Sequence, residues 1–153
     1  ITPSVCNLRP ASRGWVHIQS PDAAVYPEIR LNYLKEAEDR RVAVDAMRFT
    51  RRIMAAKALA KYEPEEYRPG VSIQSNLELE KAAGELGTTI FHPVGTCKMG
   101  NDPMAVVDDE LRVRGVERLR VIDASIFPRI TSGNTNAPTY VIAEKGARAI
   151  LKL

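Results

Sequence analysis

The sequence is organised around one short stretch, Phe91-His92-Pro93-Val94-Gly95-Thr96-Cys97-Lys98-Met99-Gly100. His92 is one of only 2 histidines in the chain. It stands between a β-type run, Thr88 to Phe91, and a turn rich in proline and glycine. Pro93 fixes the backbone beside the histidine, and Gly95 allows a sharp turn. Because a rigid turn after a strand can hold a side chain accurately, we predict that His92 lies in a functional site.

His92 has the chemistry of a catalytic base, because histidine takes or gives a proton near neutral pH. A structural histidine bonded to the backbone is the common alternative, and the residue by itself favours that interpretation. The rigid turn around it shifts the balance toward a catalytic role. We expect no metal site from His92 and Cys97, because no further histidine or cysteine lies nearby to complete four ligands.

A second unusual constellation reads Ser132-Gly133-Asn134-Thr135-Asn136-Ala137-Pro138-Thr139. Pro138 begins a run of apolar residues at helical spacing, and proline is well placed in a first helical turn. An asparagine before this helix could simply be its cap. A helix N-terminus also presents free N–H groups and attracts anions. A reaction that builds up negative charge would therefore gain from this position.

The remaining patterns alternate between strand and helix. Residues 15–19 and 28–34 alternate with period two and predict two antiparallel strands with one polar face. Helical spacing predicts a long helix over about 35–61 and a second that starts at Ser75, where Glu78 would complete a capping box. Three short β-type runs precede the last helix: 105–107, 111–113 and 119–122. This order predicts an α+β fold, an antiparallel sheet flanked by helices.

Composition excludes some classes of function. The net charge of +3 comes from basic residues interleaved with acidic ones, which argues against a nucleic-acid partner. The long helix carries arginines that could form a phosphate-binding ridge, but no aromatic or glycine-rich partner accompanies them, so a solvated face is favoured. These are Arg40, Arg41, Arg48, Arg51 and Arg52. No apolar run approaches the ~20 residues that span a bilayer. We expect Cys6 and Cys97 to be free and reduced, in a cytoplasmic protein.

Four segments together resemble the C-terminal part of the glucose–methanol–choline (GMC) oxidoreductases, closest to their bacterial choline-dehydrogenase-like members. The segments are 10–14, 91–100, 119–128 and 133–139. They come in the family's order and extend over nearly the whole chain. The resemblance implies an FAD-dependent enzyme that oxidises a small-molecule alcohol.

The resemblance also implies roles for individual residues. His92 falls on the family's active-site histidine, which takes the hydroxyl proton of the substrate while hydride passes to the flavin. Asn134 best matches the second catalytic position, which would help to bind the substrate oxygen, and Asn136 is the less favoured candidate.

Two segments match the family's contacts with the cofactor. Asp123 and Ala124 match the segment beside the FAD phosphate and ribityl chain. Asn136, Ala137 and Pro138 match the stretch against the flavin pyrimidine.

The resemblance divides the chain into residues 1–120, a substrate-binding or cap region with the histidine turn, and residues 121–153, which return to the FAD-binding domain and end in a helix that points at the flavin. The family's Gly-x-Gly-x-x-Gly fingerprint is absent from this sequence. The chain also begins at Ile1 rather than methionine. We therefore expect a cut or tagged chain that lacks the Rossmann-type FAD-binding half.

Three expectations follow from a missing FAD-binding half. The chain alone would bind FAD weakly or not at all, and the missing half would be its partner. Surfaces around Ile126, Phe127 and Val141 would be uncovered, so the chain would self-associate. The alternative is a non-catalytic binding or assembly module that retains the fold without flavin. The residues favour no particular alcohol and no particular electron acceptor.

Overall fold

The computed structural model describes residues 1–151. They divide into two compact units at the boundary between Thr89 and Ile90, called unit 1 and unit 2 below. The predicted division into residues 1–120 and 121–153 is a different one, because it concerns which part of the chain returns to the FAD-binding domain. It stays a prediction. The elements confirm a small α+β fold with a two-stranded antiparallel sheet and three α-helices among the described residues.

Unit 1 combines a short hairpin with two packed helices. Strands β1 (Trp15–His17) and β2 (Glu28–Arg30) are antiparallel, and Val16 lies opposite Ile29. Both of these side chains are exposed, so the apolar face of the hairpin, which the sequence predicts to be buried, is accessible to solvent in this chain. Helix α1 (Ala37–Met54) packs on helix α2 (Asn76–Leu86), with Val44, Leu79 and Ala82 as the buried apolar residues.

The start of α2 follows the prediction. Ser75 Oγ accepts a hydrogen bond from Glu78 N at 3.3 Å, and the Glu78 carboxylate accepts one from Ser75 N at 3.0 Å. This reciprocal capping box satisfies two N–H groups that the first turn of a helix otherwise leaves free.

A buried carboxylate fastens the first residues of unit 1 to α1. Asp39 lies in the first turn of α1 and accepts hydrogen bonds from Asn7 Nδ2 at 3.1 Å, Ala11 N at 2.8 Å and Ser12 N at 2.7 Å. Burial raises the pKa of this carboxyl, but hydrogen bonds from Ser12 and Ala11 and the charge of Arg13 outweigh it. The pKa of Asp39 therefore lies below its ordinary value.

Helix α1 is shorter than predicted, because it ends at Met54 and a separate 3₁₀ turn covers Lys57–Tyr62. Alanine and lysine favour helix, so local propensity alone predicts that α1 continues. Instead, the segment that follows the 3₁₀ turn contacts α1 through the side chain of Arg51. Arg51 donates to both carboxylate oxygens of Glu66, at 2.9 and 2.7 Å, and to the Gly70 carbonyl at 3.2 Å.

The other arginines of α1 are also engaged. Arg41 pairs with Glu38 and Asp45, Arg40 pairs with Glu80, and Arg48 donates to the side chain of Asn76. Arg52 lies over the ring of Phe49, 5.7 Å from its centroid. These contacts support a solvated helix face rather than a phosphate-binding ridge.

Unit 2 is built mainly from loops around a small core. The core consists of Val107, Leu111 and Ile126, with partly buried apolar side chains packed against it. The predicted β-type runs meet only as isolated bridges, including Val107 to Val113, and form no strand among the described residues. The turn at Asp108 explains the difference, because its carboxylate accepts hydrogen bonds from Glu110 N and Arg112 N and bends the chain there.

Helix α3 (Asn136–Leu151) closes unit 2, beginning two residues before the predicted Pro138. Gly146 is its buried residue, and a Cβ atom there would lie 2.7 Å from Ile122 Cδ1 and Cγ2. The glycine therefore lets α3 approach the 121–123 segment closely. The predicted exposure of Ile126 is wrong, because Ile126 is fully buried in the core. Val141 is exposed and Phe127 is partly buried.

None of the helices within residues 1–151 combines the length and apolar character needed to cross a membrane. Both cysteines are free, with Cys6 exposed and Cys97 partly buried. The cytoplasmic location inferred from them stays a prediction.

Candidate active site

The turn around His92 starts differently from the prediction. Phe91 is not the end of a strand: its φ is 62°, and its side chain is 80% exposed. Non-glycine residues rarely adopt this left-handed conformation, so the backbone just before His92 is held in an unfavourable shape. Gly95 has a φ of 93°, as its predicted turn requires.

Backbone hydrogen bonds fix this turn to the segment that follows Asp123. The carbonyl of Ser125 accepts from Gly95 N at 3.0 Å and from Cys97 N at 3.1 Å. Met99 N donates to the next carbonyl, that of Ile126, at 2.8 Å. The histidine turn and the predicted cofactor segment, far apart in sequence, are therefore joined within unit 2.

His92 is joined in the same unit to the residues that precede α3. Its Nδ1 atom lies 3.0 Å from Thr135 Oγ1, and either atom can be the donor, depending on the ring tautomer. His92 is partly buried, whereas Thr135 is only 5% exposed. The contact occupies one ring nitrogen and leaves Nε2 for other chemistry.

The structure brings the predicted residues of the second constellation to the start of α3. Asn134 lies in the turn before the helix, while Asn136 and Ala137 begin it, and all three are exposed. Pro138 follows and is partly buried. A shallow depression of about 150 Å³ adjoins this end of the helix, lined by Asn136, Thr139, Tyr140 and Ala143.

Asp123 and Ala124 lie at a 3₁₀ turn, Ala124–Ile126. The Asp123 carboxylate is exposed and accepts a hydrogen bond from Ser125 N at 2.8 Å, so it caps this turn. Ala124 is partly buried.

Two hydroxyl groups in unit 2, Ser125 Oγ and Thr131 Oγ1, are buried and find no hydrogen-bond partner among the described residues. A buried polar group without a partner costs about 1–3 kcal/mol. Both hydroxyls belong to the stretch between Asp123 and Asn134. They could bond a group that this chain does not itself supply.

Thr135 and Ser125 are the residues that the sequence analysis missed. Thr135 lies between Asn134 and Asn136, the two candidates for the second catalytic position, and threonine is also a favoured helix cap. Ser125 contributes through its carbonyl, which no side-chain pattern reveals. Within residues 1–151 there is no cluster of three or more histidine, cysteine, aspartate or glutamate residues that could hold a metal ion.

The histidine turn, the 123–126 turn and the start of α3 all lie within the match to one family profile, described as GMC oxidoreductase, which covers residues 10–143. The chain belongs to the GMC oxidoreductase family. Similar GMC proteins include the oxygen-dependent choline dehydrogenases of Citrobacter koseri and Burkholderia multivorans, which are 49% and 50% identical to it over 146 residues. Each match covers 95% of the chain but only 26% of the relative, so the chain spans about a quarter of these proteins.

Solved structures of oxidoreductases share the fold. Pyridoxine 4-oxidase from Mesorbium loti superposes with a TM-score of 0.85 at 37% identity, over 92% of this chain and 28% of that one. An FAD-dependent oxidoreductase from Chaetomium thermophilum gives a TM-score of 0.88 at 33% identity, over 95% and 25%. These comparisons confirm the predicted family resemblance and fold class.

Proposed function

We propose that this chain is the C-terminal part of an FAD-dependent alcohol oxidoreductase and that His92 is its catalytic base. The observation that carries the proposal is the contact of His92 Nδ1 with the buried Thr135, 3.0 Å away, which orients the ring beside Asn134 and the start of α3. The contact holds the ring in one orientation, as a base requires, and membership of the GMC family supplies the class of reaction.

The proposed reaction converts an alcohol into a carbonyl compound. With Nδ1 engaged, Nε2 of His92 accepts the hydroxyl proton of the substrate. A bound FAD would supply the acceptor for the hydride from the adjacent carbon. Choline, which appears in the names of the curated relatives, is the first substrate to assay.

Asn134 is proposed to bind the substrate oxygen. Its exposed side chain directly precedes Thr135, so it belongs to the same turn as the partner of His92. An amide N–H can stabilise negative charge that develops on oxygen. In the whole enzyme, Asn134→Ala should slow flavin reduction. If only Asn136→Ala does so, Asn136 holds this role instead.

Asp123, Ala124, Asn136, Ala137 and Pro138 are proposed to hold the cofactor. The exposed first residues of α3 fit this role, because a helix N-terminus has free N–H groups that favour negative charge. The unpartnered hydroxyls of Ser125 and Thr131 fit it as well, because a bound group could satisfy them.

The test of the catalytic role is His92→Ala in the full-length enzyme. We expect kcat to fall by about 10²–10⁴-fold, the usual contribution of a general base, while FAD content stays unchanged. The matched control is His17→Ala, which removes the other histidine, an exposed residue that stacks on Trp15. Equal turnover of His92→Ala and the unaltered enzyme would refute the role of His92.

The proposed partner of this chain is the FAD-binding half of the enzyme. Alone, the chain should retain little FAD, which flavin absorbance after reconstitution and desalting would measure. Stoichiometric FAD in the isolated chain would contradict the proposal. Self-association of the chain through exposed apolar residues such as Val141 is a further expectation, and sedimentation would measure it.

A further inference from the structure

We propose that Thr135 is a positioning residue that sets the tautomer of the His92 ring. In this assignment the Thr135 hydroxyl accepts the proton of Nδ1–H, so Nε2 carries a lone pair and can act as the base. The inference rests on the proposed role of His92, but the tautomer can be measured without any turnover.

The contact has the geometry that such control needs. The two atoms are 3.0 Å apart, a normal hydrogen-bond length, and Thr135 is only 5% exposed. Bulk water therefore competes little for its hydroxyl. The residue itself is held by α3, because its carbonyl accepts from Thr139 N at 3.0 Å and from Thr139 Oγ1 at 2.7 Å.

The other side of the contact is held as well. The turn that carries His92 is fixed by the hydrogen bonds of Gly95 N and Cys97 N to the Ser125 carbonyl. The imidazole and the hydroxyl therefore belong to two anchored segments of unit 2. Their hydrogen bond fixes the plane of the ring as well as its protonation.

The direction of this hydrogen bond decides whether His92 can work as a base. Neutral imidazole has one N–H and one lone pair. If Thr135 donated to Nδ1, the ring proton would lie on Nε2, which could then accept nothing. If Nδ1–H donates to Thr135, Nε2 is free to accept the substrate proton.

The accepting arrangement of Thr135 also survives the reaction. Once His92 has taken a proton on Nε2, both ring nitrogens carry hydrogen and both are donors. A hydroxyl that already accepts from Nδ1–H keeps its bond and stabilises the positive ring.

The test is the ¹⁵N spectrum of the imidazole rings in the 153-residue chain labelled with ¹⁵N-histidine. Only 2 histidines contribute, and His17→Gln identifies the signals of His92. The spectra are recorded at increasing pH until the shifts stop changing, so that the tautomer is read on the neutral ring. We expect Nδ1 of His92 to give the signal of a protonated nitrogen and Nε2 that of an unprotonated one.

Three variants separate control by the hydroxyl from general packing. Thr135→Val keeps the shape of the side chain and removes the hydroxyl, and it should shift His92 toward the Nε2–H form that a free histidine favours. Thr135→Ser keeps the hydroxyl and should retain the Nδ1–H form. Thr96→Val, which removes an exposed hydroxyl from the histidine turn, should retain it too. Amide spectra of each variant check that the fold is intact.

An Nε2–H tautomer in the unaltered chain would overturn the proposal. So would a Thr135→Val spectrum like that of the unaltered chain, or an effect of Thr96→Val equal to that of Thr135→Val. In the full-length enzyme, Thr135→Val should lower kcat with FAD content unchanged, by less than the ~10²–10⁴-fold expected for loss of the base itself. If Thr135→Val shifts the tautomer but His92→Ala keeps full activity, Thr135 still controls the tautomer and the catalytic role of His92 is refuted.

Discussion

Unit 1 and unit 2 are stabilised in different ways. In unit 1, two regular helices pack on each other, and side-chain hydrogen bonds from Asp39 and Arg51 fasten the irregular segments to α1. In unit 2, backbone hydrogen bonds to the carbonyls of Ser125 and Ile126 hold the loops, and the apolar core lies directly beneath them. The candidate active site belongs to unit 2.

The difference shows how a loop can be held in a fixed position. A loop usually moves more than the elements that it connects. Here the histidine turn is tied through consecutive backbone carbonyls, and the second of these belongs to Ile126, a core residue. The positions of the catalytic candidates therefore depend on the packing of a few apolar side chains.

The largest effect that would test this dependence is expected for Ile126→Ala. The side chain is fully buried in the core of unit 2, so its truncation should lower the free energy of unfolding by about 2–5 kcal/mol, measured by urea denaturation. It should also disturb the ¹⁵N signals of His92.

The control for this prediction is Ile150→Ala, which shortens an exposed isoleucine in the same unit. It should change stability by no more than about 0.5 kcal/mol. Equal effects of the two substitutions would show that the stability of unit 2 does not depend on its small core.

An intermediate effect is expected for Asp39→Asn in unit 1. Loss of the buried charge that accepts three hydrogen bonds should cost about 1.5–3 kcal/mol at neutral pH. Because the pKa of Asp39 is lowered in the folded state, its contribution is fully present above the unfolded value of ~3.9 and is lost as pH falls through the folded pKa.

The measurement is urea unfolding of both proteins at pH 7 and at several values below ~4, where their difference in stability should shrink. The control is Asp45→Asn, because Asp45 is an exposed residue of the same helix that pairs with Arg41. Its effect should stay below about 1 kcal/mol. A difference for Asp39→Asn that stays constant down to pH 2 would show that its charge does not fasten unit 1.

The smallest effects are expected for a glycine-to-alanine substitution made at one position in each unit. Gly84 lies inside α2 with open space where a Cβ would be, so Gly84→Ala should stabilise by about 0.5–1 kcal/mol. Gly146 lies inside α3 against Ile122, so Gly146→Ala should destabilise by about 1–2 kcal/mol despite the better helix propensity. Thermal unfolding measures both signs. The same sign at both positions would refute the close approach of α3 to Ile122.

The sequence predicted best where one side-chain pattern is enough to define an element. The antiparallel hairpin, the capping box at Ser75 and the final helix are present, because alternation, capping chemistry and helical spacing are local properties. The two strands are shorter than predicted, with 3 residues each. The short runs after residue 105 were predicted less well. Their pattern is typical of strands, but the turn at Asp108 limits them to single bridges.

The candidate site divides in the same way. The sequence by itself singled out His92 through its rigid turn, and it singled out Asn134 and the cofactor candidates through the resemblance to the GMC family; these roles stay predictions. Only the tertiary structure decided that Ile126 is core, that Phe91 has a left-handed backbone and that Thr135 binds the imidazole. The physical reason is that burial, backbone carbonyl contacts and the choice of a hydrogen-bond partner depend on residues far apart in the chain.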